Sequence, residues 1–461
     1  MIAAIKPIPS PHDVIRGGFG FGVYNVGLML AIVCGWPLLL LVWVAFPNLR
    51  KKLTTGWQEK LGWYSPERLA RWRQPCTKPR LWVHAVSVGE VNALRPLVTQ
   101  LANDYEVWLS TTTATGQAVA KALTQQLCGE DRAFYAPWDF LPCVFNAVHH
   151  LKPALWAVVE TELWPNWTLA ASLKKIPLVL VNGRLSPKSY GGYRWLLWLM
   201  RPTLQCFSAV LAQSVGDAER LTALGARNVT VMGNLKWDYE PVENKALLEN
   251  LKQCLGNNAE SKSNKTLWVV IASTRGGDSG ESDEETVLLP ALVELKKRFP
   301  TLRFVMAIRH PERGGAVEEL VRASGLSVAR RSLWDGHSAF DEDVIILDTI
   351  GELTTLYRFM DVAVMGGSFI PHGGQNPLEP LAVGTPTIVG PCMTNFAAIE
   401  AELLAAQACD KVTSIDGLIQ QVSAWLEKPE EAKTSVDRAI AVLEKHKGAS
   451  QRAKAVVDEM V

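Results

Sequence analysis

The sequence predicts an α/β protein built from two doubly wound, parallel-sheet domains behind an amino-terminal membrane helix. Three observations carry that reading. From about residue 75, short apolar runs rich in Val, Leu and Ile alternate with helix-compatible stretches, as in βαβ units whose sheet is covered on both faces. The alternation is interrupted once, over Glu240–Lys265, where the composition turns polar. Ahead of it all, Gly17 to Leu49 contains no Asp, Glu, Lys, Arg or His, a stretch longer than the about 20 residues a helix needs to cross a bilayer.

In chain order, residues 1–16 form a tail and residues 17–49 the membrane anchor. Its apolar heart runs from Tyr24 to Phe46, with Tyr24, Trp36 and Trp43 as interfacial anchors. No A-x-A-like cleavage site follows, and the apolar run is long for a signal peptide. Arg50-Lys51-Lys52 directly after it predicts that the remainder of the chain stays on the cytoplasmic side. A hydrophobic hairpin split at Pro37, or a helix lying in the interface, satisfies the same composition. Residues 50–75 are membrane-proximal. The first domain, residues 76–238, has strands expected at Leu81–Val86, Val107–Thr111, Phe134–Ala136, Leu155–Val159, Leu178–Val181, Ala209–Ala212 and Val229–Met232. After the linker of residues 239–265, the second domain (266–426) repeats the rhythm at Leu267–Ala272, Leu302–Ile308, Val344–Leu347, Val362–Met365 and Thr387–Val389. Residues 427–461 read as helices. Two such domains place a ligand cleft between the carboxyl ends of their strands.

Composition narrows the function. The chain has 461 residues, 48% hydrophobic and 20% charged, enough for large cores. Lys+Arg 47 against Asp+Glu 46 leaves no cationic surplus of the kind a nucleic-acid backbone requires. The 8 cysteines include no C-x-x-C pair, which disfavours a disulfide scaffold or a zinc site.

Three places can carry chemistry. In His84-Ala85-Val86-Ser87-Val88-Gly89-Glu90 a strand ends in a small-residue turn, and Glu90 stands where a helix begins. A carboxylate there suits a general base for a sugar hydroxyl, or else it complements the helix dipole. In Val158-Val159-Glu160-Thr161-Glu162-Leu163-Trp164-Pro165-Asn166 two carboxylates follow a strand, and they face water or meet cations such as Arg184 of Asn182-Gly183-Arg184. Glu162 alternatively caps the next helix. In the third place, Gly366-Gly367-Ser368 and then Gly373-Gly374-Gln375-Asn376-Pro377-Leu378-Glu379 follow a strand of the second domain. Its amides and the Ser368 hydroxyl suit phosphate, and Glu379 suits a ribose diol, unless the glycines only shape a turn. This is not the G-x-G-x-x-G dinucleotide fingerprint, which disfavours an NAD oxidoreductase. Lys236, in Gly233-Asn234-Leu235-Lys236-Trp237-Asp238, offers a point charge for a phosphate or a sugar carboxylate.

With those residues in view, the chain resembles the lipid A Kdo transferases, which move 3-deoxy-D-manno-octulosonic acid (Kdo) from CMP-Kdo to a lipid A precursor. The likeness spans about residues 40 to 440 through the collinear motifs HAVSVGE, TTTATG, VETELWPN, NGRLS, GNLKWD, RHPER, DTIGEL, GGSFIPHGGQNPLEP and GPCMTNF. It implies a GT-B architecture, two Rossmann-like domains facing across a cleft, in a bacterial inner-membrane enzyme that works on the cytoplasmic side without metal or cofactor. It also implies a base at Glu90, transition-state stabilisation by Glu160 and Lys236, and CMP contacts at Ile308, Arg309, Ile350, Gly351, Glu352, Asn376, Pro377, Leu378 and Glu379. The acceptor would be lipid IVA and the transfer inverting. Departures flank the donor side: Arg275, Ile308, Gln375 and Cys392 stand where the family commonly has histidine, proline, histidine and histidine, and the loop from Gly276 to Asp283 is longer. A GT-B transferase of another nucleotide sugar to a membrane lipid, or a non-catalytic sugar-binding scaffold, are the competing readings.

Overall fold

The computed structural model describes residues 18–45, 54–241, 244–255, 266–277, 282–336 and 339–461. The Arg50-Lys51-Lys52 cluster, the tail of residues 1–16 and most of the extended loop after Gly277 lie outside them. Two compact units divide the chain: residues up to Asp238 together with His446–Val461, and Tyr239–Lys445.

The first unit opens with α1 (Gly18–Ala45), a 28-residue helix about 42 Å long at 1.5 Å per residue. It is long and apolar enough to cross a membrane. Its first turns are docked on the unit. Phe21 is buried, Tyr24 Oη donates to Asp139 Oδ2 at 2.7 Å, and Asn25 Nδ2 donates to Asn166 Oδ1 at 2.8 Å. Gly20 lies so close to the Trp198 carbonyl that a β-carbon would stand 2.7 Å from its oxygen. Beyond that, Val26, Leu30, Val33 and Trp36 are exposed, a face that no other described residue buries.

Seven parallel strands follow: β1 (Arg80–His84), β2 (Glu106–Thr111), β3 (Ala133–Tyr135), β4 (Leu155–Val159), β5 (Leu178–Gly183), β6 (Ala209–Ala212) and β7 (Val229–Val231), ordered 3-2-1-4-5-6-7. Both faces are covered, which is why β4 reads as an unbroken apolar run. Trp82 and Trp156 stack 3.7 Å apart on one face, while Leu81, Val83 and Ala157 pack on the other with Val91, Leu94 and Val98 of α2 (Val88–Ala102). Helix α3 (Pro165–Leu173) follows β4.

The second unit repeats the plan with β8 (Leu267–Thr274), β9 (Leu302–Ile308), β10 (Val328–Arg330), β11 (Val344–Leu347), β12 (Val362–Met365), β13 (Thr387–Val389) and β14 (Asp410–Lys411), all parallel, in the order 10-11-9-8-12-13-14. Set aside β10 and the order is again 3-2-1-4-5-6, the doubly wound arrangement. Helix α4 (Glu284–Arg298) covers β8 and β9, and α5 (Leu378–Ala382) follows the glycine-rich loop. The helix Lys245–Leu255 packs Leu251 and Leu255 against Trp268 and Val270 of the second sheet.

The chain then returns to the first unit. Helix α6 (Ala449–Asp458) buries Ala449, Ala453 and Val456 beside α2. Its amino end is capped by Asp238, whose carboxylate accepts the amides of Gly448 at 2.7 Å, Ala449 at 3.3 Å and Ser450. Trp237 stacks on His446 at 4.6 Å, and Arg452 Nε donates to the Met232 carbonyl at 2.6 Å. The Trp and Asp of GNLKWD are therefore attachment points for the carboxyl terminus.

Candidate active site

Glu90 is in the first turn of α2, next to the end of β1. Its carboxylate accepts from the Val86 amide at 2.7 Å and the Ser87 hydroxyl at 2.9 Å. Those bonds tie the carboxylate to the turn that precedes the helix and fix its orientation. Burial, together with the charges of Glu160 and Glu162, outweighs both hydrogen bonds and pushes Glu90 up to about 7.

Glu160 directly follows β4 with φ of +58°, the left-handed region that a non-glycine residue enters at a cost of about 1–3 kcal/mol. Its amide donates to the Val181 carbonyl at 2.9 Å. On the neighbouring strand Asn182 shares φ +58° and is wholly buried. Its Oδ1 accepts the Leu235 amide at 3.0 Å, fixing to the end of β5 the 3₁₀ turn Leu235–Asp238 that carries Lys236. Burial depresses the Lys236 ammonium, Arg184 adds to the effect, and Glu160 and Glu90 oppose it. Glu90, Glu160, Arg184 and Lys236 are thus electrostatic neighbours at the carboxyl edge of one sheet, brought there by β1, β4, β5 and the turn after β7. Glu162, raised by burial, accepts from Trp164 Nε1 at 2.7 Å and does not cap α3. That role belongs to Asp139, which accepts the amides of Asn166 at 3.3 Å and Trp167 at 3.1 Å. Asp139 escaped sequence reading because it precedes α3 by a whole strand and helix.

The second unit collects the other residues at the carboxyl edge of its own sheet. Arg309 follows β9, its amide donating to the Thr274 carbonyl at 2.9 Å. Glu379, in α5, is pushed up to about 7 by burial, against a hydrogen bond from Asn376 and the charge of Arg309. Asn376 Oδ1 accepts the Leu378 amide at 3.2 Å. Ile350 is 88% exposed and Gly351 has φ +91°, while Glu352 accepts from Arg331 Nε at 2.8 Å. Ile308 and Leu378 are buried, which leaves their side chains unavailable to a ligand.

One expectation is overturned. Gly366, Gly367 and Ser368 do not present free donors for phosphate. The Gly366 amide donates to the Ala272 carbonyl at 2.7 Å and the Gly367 amide to Glu284 Oε2 at 2.6 Å, while the Ser368 hydroxyl donates to the Met365 carbonyl and accepts from the Gly390 amide at 2.8 Å. The glycine at 366 is required by packing, since a β-carbon would stand 2.6 Å from the Ala272 oxygen. The residue responsible is Glu284, wholly buried at the start of α4. It also accepts the amides of Phe369 at 3.0 Å and Arg275 at 3.2 Å, the dense internal bonding a buried carboxylate demands. Its place just past a long polar loop was the only sequence signal. Among the described residues, no three His, Cys, Asp or Glu side chains are grouped as metal ligands would be.

Residues 55–239 match the protein family described as 3-deoxy-D-manno-octulosonic-acid transferase (kdotransferase). The 3-deoxy-D-manno-octulosonic acid transferase of Bordetella pertussis is 33% identical over 444 residues, covering 94% of this chain and 97% of that protein. The same-named protein of Haemophilus influenzae is 32% identical over 434 residues, covering 92% and 95%. A solved glycosyltransferase structure from Rickettsia africae aligns with a TM-score of 0.54 at 14% identity, covering 84% of this chain and 99% of that one, a likeness of GT-B fold.

Proposed function

Because the chain belongs to the 3-deoxy-D-manno-octulosonic acid (Kdo) transferases, which are glycosyltransferases, we propose that it transfers Kdo from CMP-Kdo to a lipid A precursor such as lipid IVA, with inversion and without a metal. The observation that carries the mechanism is the Glu90 carboxylate, oriented by two hydrogen bonds and pushed up to about 7, where a general base works best at neutral pH. In the step, a hydroxyl oxygen of the acceptor forms the new bond to the anomeric carbon while the bond from that carbon to the phosphate oxygen breaks. The electron pair leaves with CMP, and the hydroxyl proton passes to Glu90. Lys236 takes the role of stabilising developing negative charge, and Glu160 favours its charged form against the effect of burial. Asn376 and Glu379 hold the ribose, with Arg309 beside them.

The acceptor's acyl chains require a bilayer, and two features favour a seat on one. Helix α1 carries an exposed apolar face, and beside its base Trp195, Leu196 and Trp198 are exposed on the first unit. Indole rings at such a position suit the headgroup level. With Arg50-Lys51-Lys52 after the apolar segment, this supports an inner-membrane enzyme acting on the cytoplasmic face. The test is CMP release from CMP-Kdo with and without lipid IVA, in wild type and Glu90→Ala. Acceptor-dependent release that disappears in the variant while donor binding persists supports the reading. Equal release with a uridine-linked sugar, or full release by Glu90→Ala, overturns the donor or the base respectively.

A further inference from the structure

The register of the second sheet pairs Thr274 with Ile308, and the Arg309 amide donates to the Thr274 carbonyl at 2.9 Å. The residues that follow, Arg275 and Arg309, therefore leave the sheet edge side by side. Arg275 cannot drift away. Its amide donates to Glu284 Oε2 at 3.2 Å, and its carbonyl accepts the Glu284 amide at 3.0 Å. Burial first and the Arg275 cation second depress the Arg309 guanidinium, and only Glu379 acts the other way. Elsewhere in this unit arginines are neutralised: Arg303 by Asp341, Arg313 by Asp283 and Glu285, Arg330 by Asp348, Arg331 by Glu352. Among the described residues, neither the Arg275 nor the Arg309 guanidinium has a hydrogen bond or an ion pair. Two adjacent like charges on one sheet rim, opposed among the described residues by Glu379 alone, make a site for an anion, and the planar fork of arginine matches phosphate two-pronged.

We propose that Arg275 and Arg309 together seat the phosphate of the bound nucleotide, and that Arg275 sets the affinity for it. The choice of phosphate rests on the reading above in which Glu379 binds the ribose, because the phosphate on that ribose is the anion nearest to Arg309. It replaces Gly366 and Gly367, whose amides are occupied, as the phosphate site. The family resemblance implies a histidine at position 275, where this chain has arginine. Arginine side chains as a class are not deprotonated in proteins, whereas an unperturbed imidazole titrates near 6.5.

The experiment is calorimetric binding of CMP and of cytidine to the full-length protein, in wild type, Arg275→Ala and Arg275→His. Arg275→Ala is expected to weaken CMP roughly 10- to 100-fold with cytidine unchanged. Arg275→His is expected to bind CMP as wild type does near pH 5.5 and to lose affinity as pH rises through the imidazole range, while wild type stays flat. An unchanged preference for CMP over cytidine in Arg275→Ala overturns the proposal, as does a parallel loss of both ligands. Should wild type prefer UMP to CMP, the cytidine donor falls, and the same comparison of UMP with uridine still decides the arginine seat.

Discussion

Replacing Glu90 by Gln should inactivate the enzyme and stabilise its first unit. The substitution keeps the local bonds, since the amide oxygen can accept from Val86 and the amide nitrogen can donate to the Ser87 hydroxyl. It removes a charge the fold holds at a disadvantage. The carboxyl ionises at 4.5 in the unfolded chain and at about 7 in the folded one. A raised carboxyl means the folded state binds more protons between those values, so stability declines as pH rises from about 4.5 to about 7 and is level above. At 1.36 kcal/mol per pKa unit the full penalty is about 3 kcal/mol, and partial solvent screening reduces it to about 1–3 kcal/mol. Denaturant unfolding of wild type and Glu90→Gln, followed by tryptophan fluorescence from pH 5 to 8, should show curves that coincide at the acid end and separate as pH rises. In parallel, log kcat/KM of wild type should climb with unit slope to a plateau above about pH 7, because only the ionised carboxylate accepts the proton. The variant should lose roughly 10²- to 10⁴-fold. A rate profile flat down to pH 5, or no pH-dependent gain in stability, would refute the assignment of Glu90 as a buried base.

Other outcomes follow from single contacts. Glu160→Gln removes one of the charges that raise Glu90, so the midpoint of the rate profile should move to lower pH, readable from the same titration. Glu284→Ala leaves the amides of Gly367, Phe369 and Arg275 without their acceptor. It should cost the second unit at least about 3 kcal/mol, with nucleotide binding lost in step, and an unchanged unfolding midpoint would contradict it. Asp139→Ala strips partners from the Tyr24 hydroxyl and two amides at the start of α3. Faster hydrogen exchange at Asn166 and Trp167 and a loss of roughly 2–3 kcal/mol are expected. Gly374→Ala places a β-carbon 2.2 Å from Met393 Sδ at φ +77°, so thermal unfolding should report a loss of roughly 2–3 kcal/mol.

The central strands were legible because burial on both faces leaves an uninterrupted apolar run. Leu155–Val159, Ala209–Ala212, Leu302–Ile308 and Val362–Met365 were read to the residue. The edge strands Val328–Arg330 and Asp410–Lys411 escaped notice, since they are partly exposed and too short to write a pattern. Arg80 extends β1 against its polarity by pairing with Glu106 at 2.9 Å, a partner 26 residues away that no local pattern announces. The address of α6 was equally silent, because an amphipathic helix states that it will pack and not where; Asp238 and Trp237 supply the address. In the candidate site, motif reading picked out Glu90, Glu160 and Lys236, which the fold makes electrostatic neighbours. It misassigned the glycine-rich loop, because glycines that let a backbone approach a phosphate and glycines that let it approach another strand are spelled alike.

Backbone strain separates those two meanings where composition does not. Among the described residues, seven that are not glycine have positive φ. Lys152, Lys175 and Gln407 lie just past helices, where a left-handed residue commonly terminates the turn, and Asn228 leads into β7. The other three, Glu160, Asn182 and Ser273, sit at the carboxyl ends of β4, β5 and β8. At two of these ends the ladder also shifts register, between Leu180 and Gly183 in β5 and between Ile271 and Thr274 in β8. A fold that needed only to close its sheets would place glycine or Asn at such points, and Glu160 is neither. Each of these three stands at or within two positions of a charged residue at a sheet end: Glu160 itself, Arg184 after Asn182, and Arg275 after Ser273. The strain has a consistent use, which is to turn the chain out of the sheet sharply enough for the next charged side chain to stand at the rim. Relaxing it should therefore lower activity while raising stability. For Ser273→Gly the expected gain is roughly 0.5–1 kcal/mol in the unfolding of the second unit, with weakened CMP binding as Arg275 loses its fixed direction. A variant both more stable and fully competent for CMP would separate the strain from the site.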